Sequence, residues 1–176
     1  DIVNILSDSA TIKTNQRGEY LSIKILTGDI SILLPKYVDM SLNSFSGDVE
    51  VRDFYANASI KIYNGNMIDS SFAGNRVSIE NFNGDTYCSI KKGVSGKISN
   101  TNGDLHVNVA DRSSMKIIIE HFSGDFVNET GFDAEEYSSN VRKILMGEAV
   151  DKLVIKVFNG DICLRKTVNN MEANNE

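Results

Sequence analysis

Apolar and polar residues alternate along this chain in short runs, and the runs recur. The phrases LTGDISI, FSGDVEV, YNGNMID, FNGDTYC, TNGDLHV, FSGDFVN and FNGDICL follow one another, centred on Gly28, Gly47, Gly65, Gly84, Gly103, Gly124 and Gly160. Successive steps are 19, 18, 19, 19, 21 and 36 residues, the last close to two periods. Five residues before each glycine stand Ile23, Leu42, Ile60, Ile79, Ile98, Ile119 and Ile155, with no polar member. Seven before stand Leu21, Met40, Ala58, Val77, Gly96, Ile117 and Leu153, the same strand face two residues earlier. Two after the glycine stand Ile30, Val49, Met67, Thr86, Leu105, Phe126 and Ile162; four after stand Ile32, Val51, Asp69, Cys88, Val107, Asn128 and Leu164. Each period therefore reads as strand, tight glycine turn, second strand, looser turn.

A meander of hairpins would also alternate, but it gives no reason for neighbouring repeats to carry the same residue type at the same place. Coils stacked in register do, because Ile then lies on Ile and turn on turn. The pattern predicts an all-β, single-stranded β-solenoid of about seven coils of 18–21 residues, forming one domain over residues 1–166. The recurring glycine fits a corner that needs positive φ. Residues 128–150 break the period. Within them DAEEYSSNVRKILMG could cap a short helix with Asp133 and Glu136, but an extended loop plus a strand is expected in this strand-rich setting. Residues 167–176, TVNNMEANNE, read as a polar, disordered tail.

Composition narrows the function classes. A chain of 176 residues with 41% hydrophobic residues can bury a continuous core. Its net charge of -6 and scattered 18 Lys and Arg argue against a nucleic-acid partner. No apolar run approaches the roughly 18 residues of a membrane helix, and a chain beginning at Asp1 is expected to be a piece whose signal or anchor is not visible. Cys88 and Cys163, counted along the repeats, should lie four coils or roughly 19 Å apart, too far for a disulfide, and are expected as packed thiols.

Two columns carry candidate chemistry. Asp29, Asp48, Asp85, Asp104, Asp125 and Asp161 follow their glycines, interrupted by Asn66. Stacked carboxylates repel one another, so either a cation such as Ca²⁺ bridges them or each is solvated and caps its own corner. Asn66 favours the cap, since a hydrogen-bond acceptor then suffices, and no cofactor or metal is expected. Two before the glycine stand Leu26, Phe45, Tyr63, Phe82, Thr101, Phe122 and Phe158. Pointing outward, they would form a ladder for a sugar or an apolar partner; pointing inward, they would fill the core, the plainer reading. The residues just before them, Ile25, Ser44, Ile62, Asn81, Asn100, His121 and Val157, are mixed in type, so alternation is lost at the corner and the direction stays open. His106 and His121 fall in different columns without a third ligand at metal spacing, and a surface role or a corner hydrogen bond is expected rather than zinc. No nucleophile elbow, zinc helix, P-loop or dinucleotide motif is present.

The spacing T/S/N-x-[NS]-G-D-[IV]-x-[VI], with an aliphatic residue five before the glycine, resembles the bacterial putative-adhesin family of short β-strand repeats from about Ile12 to Lys166, most closely in KLVIKVFNGDICLRK. The resemblance implies a right-handed β-helix at the bacterial cell envelope or surface that binds a protein or glycan and brings no catalytic residues to transfer. Asn66 and the irregular penultimate coil depart from the family pattern. The expectation is a non-enzymatic, monomeric adhesin-like module, with Phe45, Tyr63, Phe82, Phe122 and Phe158 as its partner-binding edge. The alternatives are a self-assembling, bactofilin-like β-helix and, third, a polysaccharide-active enzyme.

Overall fold

The computed structural model describes residues 4–7, 12–17, 20–34, 38–111 and 113–167. Among these every regular element is a strand, and no helix is long and apolar enough to cross a membrane. Two strands, β1 (Asn4–Ser7) and β2 (Ile12–Arg17), precede the repeats. Each glycine phrase then becomes a pair of strands flanking its glycine. The first five pairs are β3 (Tyr20–Ile25) with β4 (Ile30–Leu33), β5 (Asp39–Ser46) with β6 (Val49–Val51), β7 (Ala58–Asn64) with β8 (Met67–Phe72), β9 (Arg76–Asn83) with β10 (Thr86–Ile90), and β11 (Ser95–Asn102) with β12 (Leu105–Ala110). Around Gly124 lie β13 (Met115–Ser123) and β14 (Phe126–Glu129), followed by β15 (Ala134–Ser138) and β16 (Val141–Met146). Around Gly160 lie β17 (Asp151–Asn159) and β18 (Ile162–Thr167).

The strands before each glycine pair in parallel in one sheet, and those after it pair in parallel in the other, giving a β-solenoid-like stack. Register follows the aliphatic column, with Ile23, Leu42, Ile60, Ile79 and Ile98 each opposite the next. The order of coils, however, is not the order of the sequence. Ile98 pairs with Ile155, and Ile155 with Ile119, because β17 lies between β11 and β13 and β18 between β12 and β14. The last repeat fills a slot one place in from the end.

The irregular stretch explains the route. After β14 the chain forms an antiparallel pair, β15 with β16, and β16 in turn runs antiparallel along the outer side of β13. Neither a helix capped by Asp133 and Glu136 nor an extended loop plus one strand is observed; the segment holds two strands. Gly147 (φ 58) and Ala149 (φ 55) then turn the chain across the start of β13, where Met146 and Asp151 both oppose Met115. At the other end β1 and β2 lie antiparallel on β4 and β3. Within the expected tail, residues 168–176 fall outside the described residues. The insertion also corrects the cysteine separation: β12 alone stands between Cys88 on β10 and Cys163 on β18, so they are two strand spacings apart, about 10 Å. Both are buried free thiols, and burial pushes Cys88 up to about 12.

The core fills the space between the sheets. Every member of the aliphatic column from Ile23 to Ile155 is essentially inaccessible, and Ile30, Val49, Met67, Leu105 and Ile162 face it from the second sheet. At the corners a Cβ on Gly47, Gly65, Gly84, Gly103, Gly124 or Gly160 would come within 2.1–2.3 Å of the neighbouring coil's glycine carbonyl oxygen, at φ values of 119–150°. Glycine recurs there for two reasons: a left-handed backbone and coil-to-coil contact.

Candidate functional site

The direction of the aromatic column is settled by the residues beside it. Alternation does not fail at the corner: Ile25, Ser44, Ile62, Asn81, Asn100, His121 and Val157 are all buried, polar or not. The polar members hold the turn from inside. The Asn100 Nδ2 group donates to the carbonyls of Gly84 and Gly103 at 3.0 Å, and its Oδ1 accepts from the buried Thr86 hydroxyl at 2.9 Å. One coil away Asn81 Nδ2 reaches the carbonyls of Gly65 (3.1 Å) and Gly84 (3.2 Å). The Nε2 of His121 lies 3.1 Å from the Ser123 carbonyl and 2.8 Å from that of Gly160, so this nitrogen carries the hydrogen in a corner hydrogen bond. Asn81, Asn100 and Thr86 were not singled out from sequence; their signal was a polar residue at a strand position that should face the core.

With those side chains turned in, the next residue of each strand points out. Phe45 is 58% exposed, Phe158 57% and Phe122 50%, while Tyr63 is also exposed and Phe82 half-buried. The inward, core-filling reading of this column is therefore wrong. Along the stack the column runs Leu26, Phe45, Tyr63, Phe82, Thr101, Phe158, Phe122, in the inserted coil order. Phe45 and Tyr63 lie 5.9 Å apart between centroids, Tyr63 and Phe82 5.0 Å apart and nearly parallel at 4°, and Phe158 and Phe122 4.7 Å apart at 21°. Tyr63 with Phe82 and Phe158 with Phe122 stack face to face, and Phe45 is tilted against Tyr63 at 35°.

The aspartate column forms a second ladder, alongside the first. Asp29 Oδ1 accepts from the backbone N–H of Asp48 (2.8 Å), Asp48 from Asn66 (2.7 Å), Asn66 from Asp85, Asp85 from Asp104, Asp104 from Asp161 and Asp161 from Asp125 (each 2.8 Å). Each of these six acceptors caps the next coil's corner rather than its own, and Asp125 ends the series. Asn66 fits without disruption because its amide oxygen accepts the same bond. Between the two ladders the amide of Asn83 donates to Asn64 Oδ1, Asn102 to Asn83 and Asn159 to Asn102, at 2.9–3.1 Å.

Two features lie apart from these ladders. On the outer face of the second sheet Tyr87 and His106 stack at 4.5 Å, beside Asp69. Asp69 was expected on the inward side, but it sits at φ 39 in a bulge of β8, and Ser70 takes the inward place opposite Cys88. Near the crossing turn a concavity of about 730 Å³ is lined by Asp111, Ser113, Ser114, Phe132, Glu148 and neighbouring residues. There the buried hydroxyls of Ser113 and Ser114 have no hydrogen-bond partner among the described residues.

Comparison with known proteins places the fold. The family model for Toastrack DUF4097 matches residues 3–165, and the chain belongs to that family. The crystal structure of a putative cell adhesion protein from Clostridium sporogenes is similar, with a TM-score of 0.53 at 13% sequence identity over 94% of this chain and 82% of that one. No curated protein matches.

Proposed function

We propose that this Toastrack-family chain is a non-catalytic, adhesin-like module of the bacterial envelope or cell surface that binds a glycan, matrix protein or envelope component through one rigid edge of its strand stack. The observation that carries this reading is the column of exposed aromatic rings, held at coil spacing by strands that cannot move independently. Exposed large apolar side chains gathered along one column mark an interaction surface. The structural neighbour's description as a putative cell adhesion protein points the same way. Right-handed winding and independence from any cofactor belong to the same proposal. The latter is supported by the Asp carboxylates' bonds to the next coil's backbone.

Self-assembly into end-to-end filaments is the second reading. Against it, antiparallel strands cover both end coils of the first sheet, β2 at one end and β16 with β15 at the other, which interrupts the parallel pairing a filament would continue. A polysaccharide-active enzyme ranks third: residues 128–150, the segment available to wall a groove, are largely spent on strands. The test is binding to an array of glycans and matrix proteins, comparing the wild type with Phe82→Ser plus Phe122→Ser after circular dichroism shows both folded. We expect specific binding that the double variant loses. A folded wild type that binds nothing would remove the adhesin reading.

A further inference from the structure

We propose that the break in the aromatic ladder at Thr101 is a binding site for a single neutral pyranose ring. This rests on the aromatic column being the recognition edge, and it adds where on that edge the ligand sits and what chemistry it has.

Stacking leaves few ring faces free. Tyr63 covers one face of Phe82, and Phe122 covers one face of Phe158. Their opposite faces look toward each other across β11, where the column carries Thr101. This pairing exists because the last repeat is inserted: Asn100 and Asn102 oppose Asn81 and Asn83 on one side and Val157 and Asn159 on the other, which sets Thr101 between Phe82 and Phe158. In sequence order the neighbour of Thr101 would have been Phe122. Two strand spacings put the flanking rings about 10 Å apart, room for one more ring at the spacing the ladder itself adopts.

The floor of the gap selects the kind of ring. Ser99 and Thr101 lie on the outer face of β11, half-buried, and neither hydroxyl makes a hydrogen bond to the described residues. At the rim Asn102 donates to Asn83 and keeps one amide hydrogen spare, and both side-chain oxygens keep acceptor capacity, while the Asn83 amide hydrogens are spent on the Tyr63 carbonyl and Asn64. An apolar partner's side chain seated here would leave those hydroxyls without a hydrogen-bond partner, whereas a sugar offers C–H faces to the two rings and hydroxyls to the floor. Charge points to a neutral occupant. The charged residues flanking Ser99 are Glu80 and Lys156, and they are already paired, Glu80 with Lys61 at 2.9 Å and Lys156 with Glu120.

The test fills the gap with the protein's own chemistry. Thr101→Phe extends the ladder with the residue that Phe45, Phe82, Phe122 and Phe158 supply elsewhere in the column, and circular dichroism with a melting curve shows that the variant is folded before it is titrated. Tyr87→Ser removes a stacked ring from the outer face of the second sheet, apart from the ladder. Wild type and both variants are titrated with neutral gluco-, manno- and N-acetylglucosamine trisaccharides by calorimetry, with saturation-transfer NMR on the sugar protons, and with any protein ligand the array identifies. We expect Thr101→Phe to weaken sugar binding by more than about tenfold, Tyr87→Ser to leave it within about twofold, and one sugar ring to take most of the transferred saturation. Equal sugar binding by wild type and Thr101→Phe would overturn the site while leaving the adhesin reading in place. Binding of a protein but of no sugar would overturn the ligand class alone. No binding of either kind would overturn both.

Discussion

The corner of each coil asks one thing of the residue after its glycine, an oxygen that accepts the next coil's N–H. Aspartate supplies it at Asp29, Asp48, Asp85, Asp104 and Asp161, Asn66 supplies it equally well, and Asp125, last in the stack, only donates its own N–H to Asp161. The charge is therefore incidental to the bond, and in a column of carboxylates it carries a repulsion that asparagine lacks. Asp85→Asn should change stability by less than about 0.5 kcal/mol, loss of charge assistance being offset by relief of repulsion. Asp85→Ala removes the acceptor for Asp104 N–H and should cost about 1–2 kcal/mol. Urea unfolding of both variants, repeated with added calcium, checks this. A large loss in Asp85→Asn together with calcium-dependent stabilisation of the wild type would instead assign the column to a cation.

Within a strand, a simple alternation rule was enough to locate the core but not the candidate site. The aliphatic column was legible because burial and sequence say the same thing there: Ile23, Ile60, Ile79, Ile98, Ile119 and Ile155 are apolar and inaccessible. Two residues on, Asn81, Asn100 and His121 are polar yet buried, because the glycine corner turns carbonyls inward that only a side-chain donor can reach. Reading polarity as exposure lost the alternation at that step, and with it the outward direction of Phe45, Tyr63, Phe82, Phe122 and Phe158. Asp69 failed in the opposite sense, since a bulge shifted the register by one residue and no local signal announced it. Asn100→Ala measures what the inward amide contributes. It leaves the Gly84 and Gly103 carbonyls and the Thr86 hydroxyl short of a partner and opens a small cavity, for an expected loss of about 2–4 kcal/mol. Ile98→Val, two residues earlier in the same strand, should cost about 1 kcal/mol. Denaturant midpoints that reverse this order would mean the buried amide is dispensable to the corner.

Coil order is decided at the scale of the whole chain, and column chemistry is blind to it. Ile155 packs against Ile98 as readily as against Ile119, so a 36-residue step looked like two periods in succession. What places the last repeat is its connection. β16 runs along one side of β13, and the short turn through Gly147 and Ala149 delivers β17 to the other side. The repeat then acts as a keystone, since among the described residues the strands around Gly124 join the sheets of the first five coils through pairing with β17 and β18. Its inward Leu153, Ile155, Val157, Ile162 and Leu164 represent about 8–15 kcal/mol of gross burial. A chain ending at Met146 would lose that burial and expose four facing strand edges at once. By contrast, a chain lacking everything through Leu33 would expose one edge in each sheet. The first truncation should aggregate and lose amide protection throughout Met115–Met146; the second should stay soluble and keep it. Light scattering with hydrogen exchange tests both. A soluble first truncation with protected amides at Ile117 and Ile119 would show that the penultimate coil stands without its keystone.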